Sequence, residues 1–289
     1  LPQGVAFALI AGLPPEYGAD CQTLYIAGES NSNTVIWDSN DNGQRFRARQ
    51  LTNPITGISI PVDAWTIPDA NTIFIGSYDG AHGLIYMTAD RGFTLTEGTP
   101  AGSHSIYTIA LSPDFAEDGM MLAGNSDGEV YLTDDGGVSF LPLTNDTASG
   151  ALTGSIAAAF DPGFKENRTI YAGSDTQDAG LYRYNIDTGD DWESIDGTLP
   201  SGATMNSLTI SGSGVLYGAN SDAGGGMERC LFPGASSPLF ETVTRGLSEG
   251  VTLSGIRQAG NQLWAIDTTN CRLMTYKDTL TSPAVQTKP

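Results

Sequence analysis

The chain is short of cations. Thirteen Lys and Arg face 33 Asp and Glu, a net charge of -20, and only Lys165, Lys277 and Lys288 are lysines. A phosphate backbone or an anionic membrane surface would be repelled, which argues against nucleic acid and lipid headgroups as partners. Cations, neutral glycans and basic proteins stay open, and the charge suits solubility in a salty or calcium-rich exterior. Cysteine is scarce: Cys21, Cys230 and Cys271, with no C-x-x-C pair, speak against a structural zinc site. Cys230 and Cys271 lie in or beside the third runs of neighbouring repeats and are the candidate disulfide; three unpaired thiols are the alternative. The only histidines, His82 and His104, sit in polar loops, with no Ser-His-Asp pattern around them. No apolar run approaches the roughly 18 residues of a membrane helix. No basic-then-apolar segment opens the chain. Long runs of Glu, Lys, Leu and Ala are missing too, so helices are not expected.

What remains is turn chemistry. Glycine is 36 of 289 residues and charged residues are 16%, the balance of a many-turned β protein. One eight-residue pattern organises it. Thr133-Asp-Asp-Gly-Gly-Val-Ser-Phe140 reads Thr-x-Asp-x-Gly-x-Ser-aromatic. It recurs as Thr88-Ala-Asp-Arg-Gly-Phe-Thr-Leu95, as Ser39-Asn-Asp-Asn-Gly-Gln-Arg-Phe46 and as Asn185-Ile-Asp-Thr-Gly-Asp-Asp-Trp192. Its aspartates, Asp41, Asp90, Asp135 and Asp187, are 45 to 52 residues apart.

Between copies the grammar repeats: four β-branched or aromatic runs separated by Pro, Asp, Gly and Ser turns. Four strands in about 40–50 residues is the period of a propeller blade. The second runs, such as Ile73-Phe-Ile-Gly76 and Met121-Leu-Ala-Gly124, are apolar on both faces, as in strands covered from both sides. The expected fold is all-β: a six-bladed β-propeller of four-stranded antiparallel blades, seven-bladed if missing segments complete it. The blades fall at 1–52, 53–100, 101–149, 150–199, 200–246 and 247–279, with a linker-like tail at 280–289. The sixth repeat has only three strand runs. Either Leu280–Gln286 supplies its outer strand, or another segment or subunit does, and the chain reads as a fragment of a longer polypeptide or a ring with an unusual seam.

Each position of the pattern has a structural task. Asp accepts hydrogen bonds from nearby backbone N–H groups, the hydroxyl adds a local bond, and Gly takes a positive φ without steric cost. The aromatic, Phe46, Phe140 or Trp192, packs back onto the blade. With these residues in view, the chain resembles the BNR or Asp-box β-propellers, whose signature is Ser/Thr-x-Asp-x-Gly-x-Thr-Trp. The resemblance spans roughly Val5 to Tyr276. It rests on Ser39, Asp41, Gly43 and Phe46; Thr88, Asp90, Gly92 and Thr94; Thr133, Asp135, Gly137, Ser139 and Phe140; and Asp187, Gly189 and Trp192. Leu95, Arg45, Asn185 and Asp191 depart from it, and the fifth and sixth repeats lack it. It implies the fold; members range from sialidases and xyloglucan hydrolases to sorting receptors and assembly factors.

No catalytic set is legible. A sialidase-like site would need converging arginines, whereas Arg45, Arg47 and Arg49 alternate along one outer strand and are expected on its exposed side. A paired-carboxylate hydrolase needs two acids facing each other about 5–9 Å apart, and no pair stands out. Asp38, Asn40 and Asn42 match the first half of an EF-hand loop, a candidate Ca2+ site, but position twelve is Arg49 and not Glu. Acidic turns between second and third strands could ring a glycan or cation, although Asn, Asp, Ser and Gly are also ordinary turn formers. Asn145 and Asn167 head glycosylation triplets. The reading that results is a non-catalytic extracellular or cell-surface propeller, a structural, assembly or binding module. It would meet protein partners, or copies of itself, through the incomplete sixth blade. A glycan-active hydrolase on the same scaffold is the alternative, and an assembly factor the second.

Overall fold

A computed structural model of the chain describes residues 5–18, 21–143, 152–189, 191–222, 225–245, 247, 251–259 and 262–279. Asn145 and the candidate strand Leu280–Gln286 lie outside the described residues.

Six antiparallel sheets follow one another along the chain, each an up-and-down meander. Blade 1 is β1 (Phe7–Gly12), β2 (Leu24–Ser30), β3 (Asn33–Ser39) and β4 (Arg47–Gln50); blade 2 is β5 (Ala64–Thr66), β6 (Ile73–Tyr78), β7 (Gly83–Thr88) and β8 (Thr99–Pro100). Blade 3 is β9 (Ile106–Leu111), β10 (Met121–Asn125), β11 (Val130–Thr133) and β12 (Leu141–Pro142); blade 4 is β13 (Ile156–Phe160), β14 (Thr169–Ser174), β15 (Leu181–Asn185) and β16 (Glu193–Ser194). Blade 5 is β17 (Met205–Ile210), β18 (Leu216–Asn220), β19 (Gly226–Cys230) and β20 (Phe240–Val243). Blade 6 has three strands, β21 (Leu253–Ala259), β22 (Gln262–Asp267) and β23 (Arg272–Lys277). The fold class is the six-bladed β-propeller, its sixth blade one strand short among the described residues.

The chain divides into two compact units. One holds Leu1–Asn125 and Tyr131–Pro142, with blades 1 to 3; the other holds Ser126–Val130 and Leu143–Pro289, with blades 4 to 6. Within each, sheets pack face to face through apolar cores. In the first unit, Tyr25, Ile36, Leu51, Ile73 and Ile75 form the core between blades 1 and 2, and Phe74, Ile85, Ile106 and Met121 that between blades 2 and 3. In the second, Tyr171, Leu181, Met205, Leu216, Cys230 and Phe240 join blades 4 and 5, while Met227, Val251, Leu253, Ile256 and Leu263 join blades 5 and 6. The second strands β6, β10 and β18 are buried along nearly their whole length, as their two-sided apolar sequences require. Gly76 sits where an added Cβ would run into Ile106 of the neighbouring blade, so a second strand needs glycine for close sheet approach.

Two expectations are corrected. The third and fourth repeats share a Pro-containing stretch, Ser112–Gly119 and Asp161–Arg168, that reads as a turn from sequence; in each it forms a single turn of helix, α1 (Phe115–Asp118) and α2 (Phe164–Asn167). Each is closed by a left-handed residue, Gly119 or Arg168, whose N–H returns to the first helical carbonyl. The fourth strand of blade 2 lies at Thr99–Pro100, beyond the Thr94–Glu97 run expected for it. Thr94 and Thr96 are spent on hydrogen bonds to Asp90 and Met87 instead.

Candidate functional site

The repeated octapeptides link third to fourth strands and are closed on themselves. In blade 3 the buried Thr133 Oγ1 accepts from Gly137 N at 3.1 Å and donates to Asp135 Oδ1 at 2.7 Å. Asp135 also accepts from Val138 N, Ser139 N and Ser139 Oγ at 2.9, 3.0 and 2.6 Å. Hydrogen bonds from Ser139 and Thr133 hold its carboxyl down at about 2. Blade 2 repeats the arrangement with Thr88, Asp90, Gly92 and Thr94. Blade 1 repeats it with Ser39, Asp41, Gly43 and Arg45 N. The fifth-position glycines Gly43, Gly92, Gly137 and Gly189 all take positive φ. Blade 4 differs: Asn185 Oδ1 caps the turn by accepting from Asp187 N and Thr188 N, and the Asp187 carboxylate turns to Arg168 Nε at 3.1 Å. The aromatics pack as expected, with Trp192 against Tyr184 at 5.1 Å and Phe140 on the core of blades 2 and 3.

The arginines of β4 have a use their alternation did not disclose. Asp38 pairs with Arg47 in the β3–β4 register and is fully buried. Arg47 Nη2 donates to its Oδ2 at 2.5 Å, and Arg49 Nη2 faces its Oδ1 at 3.4 Å. Arg49, only 13% exposed, also stacks its guanidinium 3.2 Å from the Phe93 ring centroid in blade 2. Arg47 and Arg49 share one side of the strand; Arg47 is exposed as expected, Arg49 is not, and both reach the buried Asp38 carboxylate. The same contacts weigh against a calcium ion at Asp38, Asn40 and Asn42, because the Asp38 carboxylate already faces two guanidinium groups. Among the described residues no cluster of His, Cys, Asp and Glu suits a metal ion.

The acidic turns between second and third strands are likewise committed. Asp79 accepts from Ala81 N and His82 N, Asp175 from Ser155 N and Asp178 from Gly202 N. Three ionisable groups that sequence reasoning missed stand out. Exposed Asp63 accepts from Ser105 Oγ at 2.7 Å, yet desolvation pushes its carboxyl above the ordinary carboxylate range. Glu228, wholly buried, accepts from Asn220 and Thr242, and burial raises its carboxyl too. Arg257 on β21 donates to the Ile256 carbonyl, and desolvation lowers its pKa. None of the three sits in a spacing or motif that marks it.

The cysteines are free thiols. The expected Cys230–Cys271 bond is not made: Cys230 points into the core of blades 4 and 5, whereas Cys271 is exposed in the turn between β22 and β23. Asn167, placed in a loop from sequence, closes α2; its amide donates to Asp161 Oδ1 and accepts from Thr169 N.

The remaining distinctive place is blade 6. Beyond β23 no strand pairs among the described residues. On the face toward blade 5, Met227, Val243, Leu263, Met274 and Tyr276 are among the lining of an apolar pocket of about 90 Å3. Leu273, on the other face of β23, is 65% exposed. Arg245, Arg272 and Lys277 are exposed around this edge.

Solved structures supply the comparison. A YCF48 bound to a D1 peptide matches with a TM-score of 0.65 and 16% identity, over 96% of this chain and 79% of that one. A GH74 xyloglucanase from Xanthomonas campestris matches with a TM-score of 0.67 and 18% identity, over 96% and 45%. The hydrazine synthase of Kuenenia stuttgartiensis matches with a TM-score of 0.66 and 12% identity, over 95% and 78%. The fold is that of the β-propellers. At these identities the likeness shows the fold alone. No protein-family model matches the chain, and no curated protein matches it in sequence.

Proposed function

We propose that this chain is a non-catalytic Asp-box propeller that binds a protein partner outside the cell or at its surface. The observation that carries the reading is the edge of blade 6: a last strand with no partner on its outer side among the described residues, an apolar pocket and exposed cations in a chain of net charge -20. An unpaired strand edge invites pairing with another chain. Three of the motif acids, Asp41, Asp90 and Asp135, are spent on their own turns, which supports a structural role for them. The charge and the glycosylation triplets support an exterior setting. Among its structural neighbours, the YCF48 chain is described with a bound peptide.

The hydrolase reading has one observation in its favour. Asp63 is exposed and its carboxyl is raised, as a general acid requires. The group bonded to it, however, is the Ser105 hydroxyl and not a second carboxyl.

A photo-crosslinking residue placed at Thr275 on β23, or at Val138 in a motif turn, tests the proposal in the cells that make the protein. Protein adducts from position 275 and none from 138 are expected. Adducts from 138 alone, or none at either position, would overturn a docking role for blade 6.

A further inference from the structure

Five blades have a fourth strand, and it does more than close the sheet. In or just after that strand, Leu51, Ala101, Ile195 and Phe240 supply buried side chains to the cores between sheets. Blade 5 shows the geometry most directly. Leu216 on β18 pairs with Cys230 on β19, Cys230 pairs with Phe240 on β20, and Phe240 lies in the core shared with blade 4. In blade 6 the matching row starts at Leu263 and reaches Tyr276, and no partner stands beyond it among the described residues. Leu263 and Tyr276 belong to the core shared with blade 5, the core that retains the pocket of about 90 Å3. The void is therefore on the face where a fourth-strand side chain opposite Tyr276 would enter.

Charge narrows the chemistry of what enters. Arg245, Arg272 and Lys277 flank the edge. Arg272 lies opposite Asp267, whose carboxylate accepts from Asn270 and also feels the Arg272 charge, whereas Arg245 and Lys277 have no ion-pair partner among the described residues. Cations gathered at one edge of a strongly acidic chain favour an acidic strand by rate and by register.

We propose that the open edge of β23 takes an extended, acidic segment of a second polypeptide as the fourth strand of blade 6, with a large apolar side chain opposite Tyr276 filling the pocket. Main-chain hydrogen bonds supply affinity, the pocket fixes register, and the cations select against basic strands. The inference rests on the reading of the chain as a partner-binding module, and it adds where the partner binds and what it is made of.

The probe is a fluorescent peptide copying residues 238–244, which carries the Phe240 and Glu241 side chains in a natural fourth-strand order. Anisotropy against the full chain should show saturable binding that weakens with salt. A peptide with Ala for Phe and Lys for Glu should bind at least about tenfold more weakly, as should the native peptide to Arg272→Glu/Lys277→Glu. Both substituted side chains are exposed, so an unchanged melting temperature confirms that the variant folds. Amide hydrogen exchange at those residues of 272–277 whose N–H points away from β22 should be fast in the free chain and slowed by the peptide. Absence of binding, or binding indifferent to both charge changes, overturns the inference. So does slow exchange at those outward amides in the free chain, which would mean its own segment already fills the edge. Adducts from the crosslinker at Thr275 with no peptide binding would refute the strand and leave the partner-binding reading standing.

Discussion

Arg229 Nη1 and Asp278 Oδ1 meet at 2.6 Å, with side chains 6% and 1% exposed. Arg229 belongs to β19, and Asp278 directly follows β23, so this pair fastens the last described strand of blade 6 to blade 5. Tyr217 Oη donates to the other carboxylate oxygen at 2.9 Å, and Glu241 holds the remaining side of the guanidinium. Removing one partner of a buried pair leaves the other uncompensated and costs about 3–5 kcal/mol. Asp278→Ala should therefore lose about that much in urea unfolding, while Arg229→Met/Asp278→Leu should recover part of it.

The β4 arginines should differ in the same assay. Arg47 is 51% exposed and Arg49 is 13% exposed, and both serve the buried Asp38. Arg47→Ala should cost about 1 kcal/mol, within the range of exposed pairs. Arg49→Ala also removes the stack on Phe93 and should cost about 2–3 kcal/mol.

The motif turn of blade 3 predicts an acid limb. The folded carboxyl of Asp135 lies near 2, below its ordinary value, because Ser139 and Thr133 bond the ionised form. A depressed carboxyl contributes stability that is complete above the unfolded value and is lost as pH falls through the folded one. The wild-type protein should thus lose stability on acidification from the ordinary aspartate range toward about 2. Asp135→Asn should flatten part of that limb, as read by melting temperature against pH.

Thiol chemistry should separate the cysteines. Burial in the core raises Cys230 to about 11, and Cys271 is exposed. In the native protein a thiol reagent should label Cys271 quickly and spare Cys230 until the chain is unfolded, with peptide mapping as the readout.

The blades were legible because their signals are local. Alternating runs, turn residues and the spacing of Asp41, Asp90 and Asp135 report strand, turn and period within a few residues of themselves. The motif turn was legible for the same reason: Thr133, Asp135 and Ser139 bond one another. What stayed hidden depends on partners far along the chain. Asp38 resembled a calcium ligand until β4 laid Arg47 and Arg49 beside it. Asp63 owes its raised carboxyl to desolvation by the surrounding protein, which outweighs the lowering hydrogen bond from Ser105, 42 residues away in sequence. Cys230 and Cys271 occupied similar places in neighbouring repeats, but one points into a core and the other lies in a turn. The missing strand of blade 6 was visible as an absence, whereas its pocket required the side-chain packing of blade 5.

The measurement that bears most directly on the non-catalytic reading is turnover. The full chain is incubated with xyloglucan and with sialylated oligosaccharides across the acidic to neutral range, and released sugar is quantified. The account predicts no release above a protein-free blank, for the wild type and for Asp63→Asn alike. Release by the wild type that disappears in Asp63→Asn would contradict it and make the Asp63–Ser105 pair part of an active site.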